Sequence, residues 1–238
     1  VAQKKYSHKQ MKKLMKEDEV ATFVDRTIKW GKENKAKVYG IVIALFVSIA
    51  AYIAITSYTS NKIEKSELAF SKATEIFYYK PKRGETSKYK TKKEQYEAAL
   101  KSFKEIDKGN FTESVKLRAK YYVGVCYLNL NNPGEAEKVF KEVFDKANYP
   151  LKTPVGIALT NVMVNTGELG KAIEIVDELL KQDTIKNPVK DYELLKKSKI
   201  LVKQGKIDRA KEILNQIILD FPESPFATDA KKEKENIS

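Results

Sequence analysis

The sequence predicts an all-α protein: one helix long and apolar enough to cross a bilayer, followed by an α-solenoid of about four helical hairpins. Three observations carry that expectation. Residues 38–58, VYGIVIALFVSIAAYIAITSY, hold no charge in a chain of which 32% is charged. Further along, a small residue followed four positions later by a bulky apolar one recurs at a nearly fixed interval. Finally, every periodic segment has helical length, and the turn signals that would separate short alternating apolar runs are absent.

At about 1.5 Å of rise per residue the uncharged stretch spans roughly 32 Å, close to the thickness of a bilayer's hydrocarbon layer. Ten of its residues are Val, Ile, Leu or Phe, each favouring insertion by about 0.3–0.6 kcal/mol. Tyr39 and Tyr58 stand where interfacial rings belong. A buried core helix seldom runs this far without a charge, and no small-x-small cleavage site follows the stretch as it would in a removed signal peptide. The expectation is a retained anchor over 38–58. Residues 1–37 carry eleven Lys or Arg against five Asp or Glu, and positive charge beside a span favours the cytoplasmic side. The leader 1–37 is therefore expected in the cytoplasm and residues 59–238 on the opposite side.

Composition narrows the chemistry. The formal net charge is +13, yet only four of 45 basic residues are Arg, the side chain that reads bases and phosphates bidentately. Lysine spread along helices is a solvated face, so no nucleic-acid partner is expected. A lone cysteine, Cys126, permits neither an internal disulfide nor a cysteine metal site. In the middle of a helical segment it packs as a small hydrophobe. The single histidine, His8, lies in the leader. Acidic residues alternate with lysines at helical spacing, and no glycine-rich phosphate loop occurs, so neither an enzyme nor a cofactor is expected.

The clearest hairpin is KYYVGVCYLNLNNPGEAEKVFKEVF, residues 120–144. Gly124 lets a partner helix approach, Tyr127 follows three residues later, Ala136 is the small residue of the second helix and Phe140 fills the space between them. Asn131, Asn132 and Gly134 break the first helix, and Pro133 stands where a missing N–H does no harm. These spacings resemble the tetratricopeptide repeat. The Ala-then-bulky core returns as Ala99 and Phe103, Ala172 and Val176, and Ala210 and Leu214, the alanines being 37, 36 and 38 residues apart. Gly167 and Gly205 mark the turns of the last two units. The pattern departs in the first helices: Thr160 and Ser198 replace Gly124, Met163 and Leu201 replace Tyr127, and Lys120, Gly156 and Leu194 stand where a large apolar residue is expected. In the first unit, a helix from about Asn61 to Tyr79 is parted from its partner by KPKRGETSKYKTKK. Ser224 and Pro225 are the N-cap and N1 of a last, polar helix that caps the solenoid.

Repeats of this kind offer a concave face made by successive first helices. The register places Tyr121, Val125, Leu128 and Asn129 there, then Ile157, Asn161, Val164 and Asn165, then Tyr192, Leu195, Lys199 and Val202. That mixture of apolar and amide groups suits a polypeptide ligand. The competing expectation is that Tyr121, Val125 and Ile157 only pack against the preceding pair. Repeat domains that clamp an acidic C-terminus present Lys and Asn where this chain has Tyr121 and Val125, so that specialised function does not carry over. Two other stretches are candidates for contacts. Met11, Leu14, Met15, Val20, Phe23, Val24 and Ile28 recur at roughly helical spacing between lysines, as on a helix lying at the cytoplasmic interface. Residues 80–93 hold seven basic residues and one acid, and are expected to form a mobile solvated loop, with anionic headgroups as the alternative contact.

The order of a charged leader containing KEDEVATFVDRTIKW, one anchor with little linker and then repeats is similar to the YfgM-like family of single-pass inner-membrane tetratricopeptide-repeat proteins. The resemblance implies a bacterial inner-membrane location, a periplasmic repeat domain, and the Sec translocon, periplasmic chaperones or envelope proteins as partners. It supplies no catalytic residues. A structural or assembly subunit of another envelope or respiratory membrane complex fits the same organisation.

Overall fold

The computed structural model describes residues 8–181 and 189–237. Among them every regular element is a helix: α1 (His8–Glu33), α2 (Lys35–Phe77), α3 (Lys92–Lys108), α4 (Glu113–Asn129), α5 (Pro133–Lys146), α6 (Lys152–Asn165), α7 (Leu169–Leu180), α8 (Lys190–Lys203), α9 (Ile207–Asp220) and α10 (Pro225–Asn236). The chain divides into two compact units, Val1–Asn61 and Lys62–Ser238.

In the first unit, α1 ends at Asn34, whose side-chain amide turns back to donate to the Trp30 carbonyl at 3.0 Å. Phe23, Val24 and Ile28 of the expected amphipathic face are exposed, whereas Met11, Leu14, Met15 and Val20 lie outside the residues whose side chains are described. Helix α2 is the one described helix long and apolar enough to cross a membrane. The apolar side chains of its residues 39–55 are uncovered, Phe46 being 67% exposed. The helix expected to begin near Asn61 instead continues α2 without a break. No Gly or Pro interrupts residues 56–61, and the hydroxyls of Thr56 and Thr59 fold back onto the carbonyls of Tyr52 and Ile55 at 2.9 and 3.0 Å. The boundary expected at 58/59 is thus a change of side-chain character along one helix.

The second unit is a run of hairpins, each packed on the next. The four alanines of the repeat core, Ala99, Ala136, Ala172 and Ala210, lie on α3, α5, α7 and α9, and all are fully buried. Their partners Phe103, Phe140, Val176 and Leu214 are buried with them. The core forms three clusters: around Phe70, Phe103 and Val123 on α2–α4, around Phe140, Leu159 and Val176 on α5–α7, and around Leu194, Leu214 and Ala230 on α8–α10. Tyr127 packs on both of the first two, and Leu180 on both of the last two. Each hairpin therefore buries its neighbour's apolar face, as a solenoid requires.

The departures from the repeat pattern have local causes. Thr160 and Ser198 keep the Gly124 position small, and both are fully buried. Gly156 sits where a large residue was expected because Leu179 and Phe144 already occupy that space: a Cβ there would lie 2.8 Å from each. Lys120 fills the same position in its hairpin with an aliphatic stem, and its amine pairs with Asp107 at 3.3 Å and Glu142 at 2.7 Å.

Three of the turns share one geometry. Asn132, Glu168 and Lys206 donate their N–H to the carbonyls of Tyr127, Met163 and Leu201, five residues earlier, at 2.8, 2.8 and 2.9 Å. This Schellman-type closure needs a left-handed residue just before the donor. Gly167 and Gly205 supply it at φ +84° and +75°, as expected, but in the second hairpin the residue is Asn131 at φ +59°. Gly134 does not break α4; it lies inside α5, after Pro133. Ser224 caps α10 by accepting the Phe226 N–H at 3.0 Å, with Pro225 in the first turn.

The long first turn is closed by a residue that periodicity did not single out. Gln95, 3% exposed, donates from Nε2 to the carbonyls of Ile76, Phe77 and Tyr79 at 2.9, 2.8 and 3.1 Å. It satisfies the orphan acceptors at the end of α2. Replacing Gln95 with leucine should cost about 1–2 kcal/mol, since the part-buried Phe77 and Tyr79 carbonyls lose this donor while Ile76 keeps the Tyr79 N–H. Urea titration of the full chain checks this, and a change within experimental error would remove the capping role.

Candidate protein-binding groove

The residues expected on the concave face come from α4, α6 and α8, the first helices of three successive hairpins. Their surroundings differ. Tyr121, Val125, Ile157 and Val164 are half-buried against the central core cluster. The Tyr121 ring sits 5.8 Å from Phe140 and 5.4 Å from Tyr122, centroid to centroid. These side chains pack on the core, as the competing expectation has it, and remain half-open to solvent. Leu128 is 37% exposed. Asn129, Asn161 and Asn165 are exposed. The Asn129 amide donates to the Val125 carbonyl at 2.9 Å, which leaves its side-chain oxygen outward.

At the last hairpin the row closes. Leu195 is 4% exposed and packs in the cluster shared by α8, α9 and α10, so it is a core residue rather than a groove residue. The register placed it correctly on α8, but the capping helix that covers it lies beyond the repeat. Tyr192 is half-buried, 5.3 Å from the Phe226 ring of α10. Lys199 is exposed and Val202 half-buried. Lys196, which the register did not select, donates to the Asn161 side-chain oxygen and lies over the Tyr192 ring at 5.4 Å. This contact ties α6 to α8 across the row.

Beside the row on α4, a second group of aromatics gathers at the first hairpin. Tyr122 stacks on Phe103 at 4.9 Å and 18°, meets Phe70 and Phe77 edge-on, and shares a 3.0 Å hydroxyl contact with Tyr78. Burial, then the Tyr78 hydroxyl, raise the Tyr122 pKa, and burial raises that of Tyr121, so both phenols stay neutral. Arg118 grips Glu67 with two hydrogen bonds, at 2.8 and 3.1 Å, and lies 4.0 Å over the Phe70 ring. These contacts pin α4 to α2. The sequence signal was the aromatic density of residues 70–79, which a helical period alone does not assign to a face.

Cys126 is fully buried in the first core cluster, and burial pushes its thiol up to about 12, away from the reactive thiolate. Among the described residues no group of three or more His, Cys, Asp or Glu is placed to hold a metal. His8 lies in α1.

The charges that join the hairpins set a pH dependence. Lys120 is partly buried, which works against its charge, but its hydrogen bond to Glu142 and the field of Asp107 outweigh this and raise its pKa. Glu142 is lowered by hydrogen bonds from Lys120 and then Lys146. Its contribution is therefore complete above the ordinary value of 4.5 and is lost as pH falls through the lowered one. Lys120→Met should cost about 1 kcal/mol at neutral pH, a figure kept small because Glu142 is partly solvated. The difference from the parent should shrink as pH falls below 4.5 in urea titrations; a deficit that does not change with pH would assign it to packing.

Comparison with known proteins agrees with the hairpin geometry. The tetratricopeptide-repeat family model matches residues 194–224, which run from α8 through α9. No curated protein matches the chain. Two solved structures are similar, both of a Podosopora anserina protein described as a kinesin light chain with nearly identical TPR-like repeats, one of them a single-substitution variant. For the variant the TM-score is 0.54 at 12% identity, over 73% of this chain and 84% of that one. For the other the figures are 0.54, 12%, 73% and 85%. At that identity the likeness speaks for the fold alone. Residues 194–224 thus match the tetratricopeptide repeat, and the hairpins share the fold of these TPR-like repeat structures.

Proposed function

We propose that this protein is a membrane-anchored scaffold for other polypeptides. In this reading, residues 38–58 cross the bacterial inner membrane, the N-terminus is cytoplasmic, the repeats lie in the periplasm, and the protein acts as an accessory to the Sec translocon and periplasmic chaperones. One observation carries the binding role: Tyr121, Val125, Ile157 and Val164 are each half-open beside the exposed amides Asn129, Asn161 and Asn165. Apolar contact gives affinity, and the amides give directional hydrogen bonds to a peptide backbone. The anchor is supported by the uncovered apolar side chains of residues 39–55, which in water would expose more contiguous apolar surface than soluble proteins tolerate. The link to the translocon rests on the organisation of leader, anchor and repeats. No cofactor or nucleic acid enters this function.

A photo-crosslinking amino acid at position 121 or 161 in living cells, followed by mass spectrometry, tests it. Translocon subunits, chaperones or many envelope proteins in transit are the expected products. A second reading, a structural or assembly subunit of another envelope or respiratory complex, is favoured by the Lys196–Asn161 contact, which holds the row in one shape suited to one fixed partner. One stoichiometric partner set would select it. Protease added to spheroplasts should remove the repeats and spare the leader; the opposite digestion pattern would overturn the topology.

A further inference from the structure

The turn between α2 and α3 carries hydrogen bonds and ring contacts of its own. The Lys88 N–H donates to the Tyr79 hydroxyl at 3.1 Å, and the Tyr79 and Tyr89 rings meet edge to face at 5.4 Å. Ser87 donates to the Tyr89 carbonyl at 2.7 Å, the Lys90 N–H to Glu94 at 2.7 Å, and Thr91 caps α3. Gln95 ties the far end of α2 beneath it. On this frame stand Lys80, Lys82, Arg83, Lys88, Lys90, Lys92 and Lys93, against Glu85 alone. Elsewhere in the repeats, cations such as Lys120, Lys152 and Lys197 pair with carboxylates on neighbouring helices. Among the described residues none of these seven has a carboxylate partner. Beside them is an open hollow of about 290 Å³, with Ile76, Tyr79 and Tyr89 as apolar lining, Lys72 and Lys88 as cations and Glu75 as its one acid.

We propose that residues 80–93 form a docking site for an acidic polypeptide segment, whose carboxylates meet these cations while one apolar side chain enters the hollow. The site shares no residue with the groove and does not depend on it. Nucleic acid fits less well: only one of the seven cations is Arg, and the two tyrosine rings are turned on each other rather than open for bases to stack.

The test uses the full chain in detergent micelles and a fluorescein-labelled twelve-residue peptide of Glu and Asp with one central Phe, followed by anisotropy. Binding is expected to weaken about tenfold between 50 and 300 mM salt, as for contacts between exposed charges. Arg83→Glu, Lys88→Glu and Lys90→Glu together should weaken it at least about tenfold, whereas reversing Lys206, Lys231 and Lys232 should change it less than about threefold. Melting of the variant reports its folding, and Lys82→Glu with Arg83→Glu repeats the measurement should the triple variant unfold. Tyr89→Ala should abolish the preference for the Phe-containing peptide over its Ala counterpart; a preference left intact removes the hollow from the site. A loop variant that binds as the parent does overturns the proposal. So does stronger displacement of the peptide by oligothymidylate, or by short-chain phosphatidylglycerol, than by unlabelled peptide.

Discussion

Valine at position 124 is expected to destabilise the repeat unit by about 3 kcal/mol, at the upper end of what overpacking costs. A Cβ on Gly124 would lie 2.5 Å from Cε1 of Phe140 and 2.7 Å from Cδ1, closer than carbon atoms approach. The ring has nowhere to go, because Phe140 is fully buried and Tyr121 packs against it. Even alanine, which gains about 1 kcal/mol of helix propensity over glycine, should be a net loss here. In a domain of this size the valine variant should melt roughly 6–12 °C lower. The discriminating measurement is a double-mutant cycle with Phe140→Leu. Removing the ring relieves the clash, so the two changes together should cost at least about 1 kcal/mol less than their sum. Strict additivity would mean that Gly124 is not the point of closest approach.

The second large effect concerns the anchor. The 238-residue chain should partition into the detergent phase of a cloud-point separation, while the fragment 62–238 should stay in water. Ten apolar side chains at about 0.3–0.6 kcal/mol each give roughly 3–6 kcal/mol, a partition ratio of about a hundredfold or more. Placing lysine at both Ile49 and Ile53 sets roughly 5–7 kcal/mol against insertion, enough to cancel it. That variant should move to the aqueous phase or aggregate. Detergent partition of the fragment, or indifference of the full chain to two central lysines, would assign the apolar stretch another role.

The hairpins were readable in the sequence because each needs only local facts. Ala136 followed by Phe140, or Ala210 by Leu214, states which face of one helix is crowded, and a positive-φ glycine such as Gly167 states where the chain reverses. Asn131 was less plain, since asparagine adopts that conformation at a cost and Gly134 nearby was the more obvious candidate. The long apolar stretch was equally plain, as hydrophobicity over twenty residues depends on no partner.

What depended on tertiary structure was which side chains remain open. Register places Tyr121 and Leu195 at equivalent positions on α4 and α8, yet one is half-open and the other buried, because α10 caps the last hairpin. Gly156 looked like a defect until Leu179 and Phe144 were seen to fill its place. Gln95 gave no signal: its value lies in reaching three carbonyls 16 to 19 residues back. The turn from Lys80 to Lys93 reads as a charged loop in the sequence, and only the structure shows the contacts of Tyr79, Tyr89 and Glu94 within it. Periodicity records what one helix does with its own neighbours in sequence, whereas exposure, capping and charge pairing are set by residues that the fold brings from elsewhere.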